Sequence, residues 1–330
     1  MTEQAPVRIL ITGGAGFLGA RLAGILLQRG VIAKAPIREL WLADIHEPPL
    51  ALQADPRVHA VSGDLLEQCR AWKGDRFDLV FHLAAAVSGE CEDHFDLGMR
   101  SNFDTTRALL EFLRASGASP RLVFASSVAV FGADAALPLP AVVHDDTLPL
   151  PQSSYGIQKF MCEQLVADYT RRGFIDGRIL RLMTVAIRPG KPNAAASGFL
   201  SGIIREPLHG QPAICPVALE TPVALASPGR TMEALLAIAE ADRESLGGRT
   251  AINMPALSVT VGEMLDALER VVGAEARSRV ELRSDPRIGR IVGSWPSVID
   301  SERGRRLGLT PDPDFDSVIR QFLSEDVGAR

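Results

Sequence analysis

Residues 8–19, RILITGGAGFLG, constrain this chain more than any other stretch. Ile9, Leu10 and Ile11 form a short apolar run of the kind a buried strand carries, and Thr12 and Gly13 end it. Gly13, Gly16 and Gly19 then recur at every third residue, and Phe17, Leu18, Leu22, Ile25 and Leu26 follow with helical spacing. Strand, glycine turn and helix in that order predict a nucleotide-binding unit. Gly13 allows the tight turn, Gly16 lets a pyrophosphate approach the backbone, and Gly19 lets the helix pack close to the strand. The start of the helix offers free N–H groups and a partial positive charge to phosphates.

The alternation continues downstream. Strands are predicted over 39–43, 58–61, 78–82 and 121–125, with 31–37 read as a short insertion before the second of the series. A long helix is predicted over 93–116, because Phe95, Met99, Phe103, Thr106, Leu110 and Leu113 share one broad face. Asn102 within it reads as a tie to neighbouring backbone. A second helix is predicted over 154–170. The proline-rich segments 137–140 and 148–151 forbid helix and bracket a loop. Strands alternating with helices predict an α/β fold with a doubly wound parallel sheet.

Bulk properties exclude several classes. The chain has 330 residues and a formal net charge of −5, and no basic run marks a nucleic-acid surface. The first eight residues lack the apolar core of a signal peptide, and no apolar stretch reaches the ~20 residues that span a bilayer. A cytoplasmic protein without membrane contact is expected. Cys69, Cys91, Cys162 and Cys215 are scattered and read as reduced, packed thiols. The six histidines form no i, i+4 pair and no cluster with cysteine, so no metal site is expected.

Particular side chains at the predicted strand ends carry chemistry. Asp44 closes the 39–43 strand. A carboxylate there accepts hydrogen bonds from a ribose 2′-hydroxyl and repels a 2′-phosphate, which favours NAD over NADP. Asp64 either faces the adenine edge or caps the helix after it. The small residues around Leu83 and Ala84 leave room for a ligand at the carboxyl end of a strand, and Ser88 follows them as a pocket candidate. Tyr155 and Lys159 are four apart and share a helix face. A tyrosine of ordinary pKa ~10 is a poor base at neutral pH. A unit positive charge ~4 Å away, worth ~4 kcal/mol at an effective dielectric of 20, brings the phenol well down. Lys159, helped by an oxidised nicotinamide, is therefore expected to make Tyr155 a general base. Ser127, at the end of the 121–125 strand, is placed to hold the substrate oxygen.

TGGAGFLG, HLAA, SSVAVFG and YGIQK together resemble the extended short-chain dehydrogenase/reductase family, which includes nucleotide-sugar epimerases and dehydratases. The resemblance covers nearly the whole chain. It implies Ser127, Tyr155 and Lys159 as the catalytic set. It implies NAD contacts from Gly13, Gly16, Gly19, Phe17, Leu18, Asp44, Asp64, Leu65, Leu83, Ala84, Tyr155, Lys159 and Leu182. A homodimer packed through the helices around 93–116 and 154–170 is expected from the same likeness.

The second half departs from the sugar-nucleotide members. Thr184 stands where they commonly carry asparagine, and the segment SPGRT at 227–231 lacks their aspartate. In its place RPGKPNAAAS at 188–197 gathers two cations and an amide on a loop shaped by proline and glycine. Such a cluster suits a small carboxylate. PQSSYGIQK, RPGKPNAAAS, SGIIREPL, LSVTVGEM and DPRIGRIVGSWP resemble sugar-acid dehydrogenases of the family. That likeness implies oxidation of a four-carbon sugar acid at its 2-hydroxyl with NAD. Ser88, Ser127, Tyr155, Thr184, Arg188, Lys191 and Asn193 are the substrate candidates, with Arg230 and Arg290 as other cations for the carboxylate. A sugar-nucleotide epimerase or dehydratase is the alternative, and a non-catalytic NAD sensor is a third reading. Residues 1–187 are expected to form the NAD-binding domain, with strands returning from about 217–253. Residues 188–330 are expected to form a smaller, discontinuous substrate lobe. In it helices are predicted over 199–208, 232–241 and 261–272, with one or two strands in 213–226. Trp295 either covers the pocket or packs in a core.

Overall fold

Val7–Thr12 is the central strand of a parallel sheet, flanked by Ala35–Asp44 on one side and Leu79–His82 on the other. The computed structural model describes residues 5–72, 74–190 and 195–327. Val58–Ser62 pairs outside Ala35–Asp44, while Arg121–Ser127, Asp176–Leu182 and Ile252–Asn253 extend the other side. All these pairings are parallel. The first three strands run outward in one direction from the centre and the later ones in the other, so the order reverses between Val7–Thr12 and Leu79–His82. This is the doubly wound α/β sheet that the alternation predicts, and a ligand cleft forms where such a reversal leaves two strand ends uncovered.

Alternate residues of the central strand feed two buried layers, as a sheet covered on both faces requires. Ile9 and Ile11 pack with Leu22 and Leu26 of the Phe17–Arg29 helix and with Met232, Leu235 and Ile238 of the Pro228–Glu240 helix. Leu10 packs on the other face with Val80, Leu122 and Phe124, under Leu109 and Leu110 of the Thr105–Ala115 helix and Val166 of the Ser154–Arg171 helix. A third cluster joins Leu200, Ile203 and Ile204 of the Gly198–Leu208 helix to Leu225, Met264, Leu265 and Val318. It lies beside a small sheet of Thr184–Val185, Pro222–Ala226 and Leu257–Thr260. Both Ala213–Cys215 and Pro222–Ala226 are strands.

Two local expectations are corrected. The segment read as an insertion is a hairpin: Val31–Ile32 runs antiparallel to the first residues of Ala35–Asp44. Its two linking residues, Ala33 and Lys34, both have positive φ, 47° and 68°, as a two-residue primed turn requires. The single helix over 93–116 is divided. Ser88–Asp93 and Phe95–Gly98 precede a π-helical turn, Met99–Asp104, before Thr105–Ala115. The cause is tertiary. Asn102 accepts from the Ala86 N–H at 2.8 Å and donates to Gln158 Oε1 at 2.8 Å. The wider turn carries its side chain into these buried partners. No helix among the described residues is long and apolar enough to cross a membrane.

Candidate active site

The glycine turn forms the floor of the cleft. Gly13 has φ +74°, and a Cβ on it would lie 2.8 Å from the Ala84 nitrogen. At Gly19 a Cβ would stand 2.0 Å from the Gly13 carbonyl oxygen, so the helix rests directly on the turn. Gly16 begins that helix without a side-chain cap, which leaves the amides of Phe17 and Leu18 facing the cleft without intrahelical acceptors. Bare backbone, uncapped amides and no acidic residue in the first helical turn fit a dinucleotide pyrophosphate.

Hydrogen bonds hold this floor from below. Thr106 donates to the Asn102 carbonyl at 2.5 Å, so its oxygen accepts from His82 Nε2 at 2.9 Å. His82 Nδ1 then accepts from Thr12 Oγ1 at 2.6 Å, and Thr12 accepts from the Ala84 N–H at 3.3 Å. Complete burial lowers the His82 pKa to about 3, so the imidazole is neutral. Sequence reasoning missed His82 and placed Thr106 only on a helix face. The only signal was a polar residue closing an apolar strand.

Apart from Arg230 and Arg290, the candidate residues that fall within the described chain line one cleft of about 690 Å³. It runs from Asp44 and Asp64 at one end, past Leu83, Ala84 and Leu182, to Ser88, Ser127, Tyr155, Lys159, Thr184 and Arg188 at the other. Lys191 and Asn193 lie outside the described residues. Arg230 and Arg290 do not line the cleft: Arg230 pairs with Glu233 at 2.6 Å, one helical turn away, and Arg290 is exposed on the Pro286–Gly293 helix. Trp295 does both: it lines the cleft, where Ser197 joins it, and it packs against the cluster of Leu200, Ile203 and Ile204.

Asp44 and Asp64 both hold protein groups. Asp44 accepts from the Ala15 N–H at 3.0 Å and the His46 N–H at 3.1 Å, which ties the second strand to the glycine turn. Asp64 caps the Leu65–Ala71 helix through the Leu66 N–H at 2.7 Å and pairs with Arg100, whose guanidinium is the main cause of its lowered pKa. Asp64 therefore caps its helix and also lines the cleft.

Ser153 starts the Ser154–Arg171 helix by accepting from the Gly156 N–H at 3.1 Å. This places Tyr155 and Lys159 over the end of the Arg121–Ser127 strand. Lys159 is 4% exposed, donates to the Ala125 carbonyl at 2.9 Å and stands 5.8 Å from the centre of the Tyr155 ring. Burial lowers its pKa to about 8. Tyr155 differs from expectation. Burial dominates and pushes its phenol up to about 12, while a hydrogen bond from Ser127 and the charge of Arg188 act the other way. The Lys159 ammonium, over the ring at 5.8 Å from its centre, does not offset this desolvation by itself.

Arg188 is half-buried. Its Nε donates to the Val185 carbonyl at 3.0 Å and its Nη2 to Ser197 Oγ at 3.2 Å. It has no carboxylate partner among the described residues. A fixed, partly desolvated cation facing a cleft beside a phenol suits an anionic ligand.

The model of the NAD dependent epimerase/dehydratase family matches residues 9–231. A D-erythronate dehydrogenase of Cupriavidus necator is 51% identical over 328 residues, covering 98% of this chain and 99% of that protein. A D-erythronate dehydrogenase of Haemophilus influenzae is 41% identical, covering 97% of this chain and all of that protein. A crystal structure described as the nucleoside-diphosphate-sugar epimerase from Agrobacterium tumefaciens superposes with a TM-score of 0.93 at 39% identity, covering 100% of this chain and 97% of that one.

Proposed function

The chain belongs to the NAD-dependent epimerase/dehydratase family, and from that premise we propose that it is an NAD-dependent D-erythronate dehydrogenase, which oxidises the 2-hydroxyl of a four-carbon sugar acid to the 2-oxo acid. The observation that carries the substrate class is Arg188, a cation without an acid partner among the described residues, in the same cleft as Tyr155. Two full-length relatives that bear the dehydrogenase name support the same reading.

Arg188 holds the carboxylate of the acid, with Lys191 and Asn193 completing that end, and Ser88 and Thr184 line the chamber. Ser127 accepts from the Ala129 N–H at 3.1 Å and hydrogen-bonds the Tyr155 phenol, so the two hydroxyls stand together to receive the C2 oxygen. Tyr155 takes the hydroxyl proton as general base. Lys159 stands beside it as a buried cation. Gly13, Gly16, Phe17, Leu18, Leu65, Leu83, Ala84 and Leu182 hold NAD, with Asp44 at the adenosine ribose and Asp64 at the adenine end. NAD, when bound, supplies the hydride acceptor. Residues 1–187 with the returning strands serve the cofactor, and 188–330 serve the acid. Exposed Phe95 and Ile157 support a homodimer through their helices, and four buried free thiols support a reducing cytoplasmic setting.

Absorbance at 340 nm tests the reading. D-erythronate with NAD is expected to give stoichiometric NADH, and nucleotide diphosphate sugars none. A flat trace across a panel of four-carbon sugar acids removes the dehydrogenase reading. Interconversion of sugar nucleotides without net NADH moves the chain to the epimerases.

A further inference from the structure

Tyr155, Lys159 and Glu163 recur every fourth residue and lie along one face of the Ser154–Arg171 helix. Glu163 is 1% exposed, deeper than the other two, and unlike them it does not line the cleft. Its Oε1 accepts from Ser126 Oγ at 2.5 Å and from Arg181 Nε at 2.9 Å, and its Oε2 accepts from Arg181 Nη2 at 2.7 Å. Arg181 is also buried, and its Nη1 donates to Asn253 Oδ1 at 3.3 Å.

The partners are not scattered. Ser126 and Arg181 face each other in the register of two neighbouring strands, and Arg181 faces Asn253 in the next. One carboxylate thus ties the helix to a row crossing three strands. That row lies one residue before Ser127 on the first strand and one before Leu182 on the second. We infer that Glu163, through Ser126 and Arg181, is a positioning residue that seats the Tyr155–Lys159 face against Ser127. This inference rests on the reading of Tyr155 and Lys159 as the reactive pair.

Two physical arguments favour a positioning role over simple fold stability. A buried ion pair adds little net stability, because desolvating both charges offsets their attraction. The bidentate guanidinium–carboxylate geometry, by contrast, fixes distance and angle. The second argument is electrostatic. The titratable groups facing Lys159 are Cys91 from the Ser88–Asp93 helix, His82 from its strand, and Cys162, Tyr155 and Glu163 from its own helix. Burial raises both thiols, Cys91 to about 11, and lowers His82 to about 3, so all three are neutral near pH 7. Tyr155, at about 12, is neutral too. The Glu163 carboxylate is then the negative charge that favours protonated Lys159, against the cost of burying it.

The experiment compares Glu163→Gln with wild type in melting temperature, NAD dissociation constant and the pH profile of kcat. The expected result is a folded variant with NAD affinity within about threefold of wild type. Its kcat is expected to fall at least about tenfold, with the high-pH limb displaced to lower pH as Lys159 gives up its proton more readily. A variant that melts earlier but keeps kcat and the pH limb overturns the inference and leaves Glu163 a structural staple. If Glu163→Gln does not fold, Ser126→Ala keeps both bonds of the ion pair and removes only the hydroxyl that ties Oε1 to the Arg121–Ser127 strand. A several-fold loss of kcat at unchanged NAD affinity is then expected, and unchanged kcat overturns the inference. Tyr155→Phe is the control. If it stays active, the reading of the reactive pair fails; if it is inactive while both other variants match wild type, only the role of Glu163 fails.

Discussion

Lys159 Nζ is bonded to the Ala125 carbonyl at 2.9 Å and stands over the Tyr155 ring, 5.8 Å from its centre. The lysine is therefore a buried cation whose protonation costs folding free energy. Its pKa in the fold, about 8, lies below its ordinary 10.5. Between those values the unfolded chain binds more protons than the native one, so stability falls as pH drops through that window. Lys159→Met lacks this cost. Its melting temperature is expected to rise relative to wild type between pH 10.5 and pH 8, while kcat falls by about 10². A temperature difference that stays constant with pH would contradict the assignment.

Tyr155 gives a direct spectroscopic prediction, because the chain has only two tyrosines. In a Tyr169→Phe background the phenolate absorbance near 295 nm reports on Tyr155 alone. Without cofactor it is expected to appear only as pH approaches about 12, because burial raises the group. The raised pKa adds stability that is present below pH 10 and lost as pH rises through the folded value. NAD is expected to move the transition downward, since a positive ring favours the phenolate. A transition at the ordinary value of 10 in the free protein would show that the phenol is not desolvated.

Arg188 is the predicted anchor of the acid. Arg188→Met is expected to raise KM for the sugar acid at least about tenfold and to leave the NAD dissociation constant within about twofold. Arg188→Lys is expected to rescue only in part, because a point charge lacks the planar fork. Steady-state kinetics and fluorescence titration of NAD separate the two effects. Unchanged KM in Arg188→Met would move the anchor to Lys191 or Asn193.

The alternation of strand and helix, the glycine turn and the Tyr155–Lys159 pair were legible in the sequence because each rests on a pattern close along the chain. Gly13, Gly16 and Gly19 carry their meaning in their spacing, and so do two side chains four apart on a helix. What escaped depends on distant partners. Nothing near Asn102 in sequence announces Ala86 and Gln158, so the π-helical turn read as continuous helix. The Ala33–Lys34 turn lacks the Asn-Gly pair that usually signals a primed hairpin. Choosing among Arg188, Arg230 and Arg290 needed the fold, which gives Glu233 to Arg230 and leaves Arg188 beside the phenol. The sign of the Tyr155 shift also failed from sequence, because spacing gives the distance between charges but not their burial.

Asp44 is expected to select the cofactor and to brace the glycine turn at once, since one of its oxygens accepts from the Ala15 N–H. Asp44→Asn is expected to weaken NAD about tenfold and to narrow the preference over NADP, as removing the charge lifts the repulsion of a 2′-phosphate. Parallel titrations with the two nucleotides give the ratio. An unchanged ratio would assign Asp44 to bracing alone.

The most direct measurement follows the hydrogen on C2. With D-erythronate deuterated at C2 as substrate, the NADH formed is expected to be one mass unit heavier by mass spectrometry. Its formation is also expected to slow when hydride transfer limits turnover. Unlabelled NADH, or a sugar acid consumed with no reduced nucleotide formed, would contradict the account.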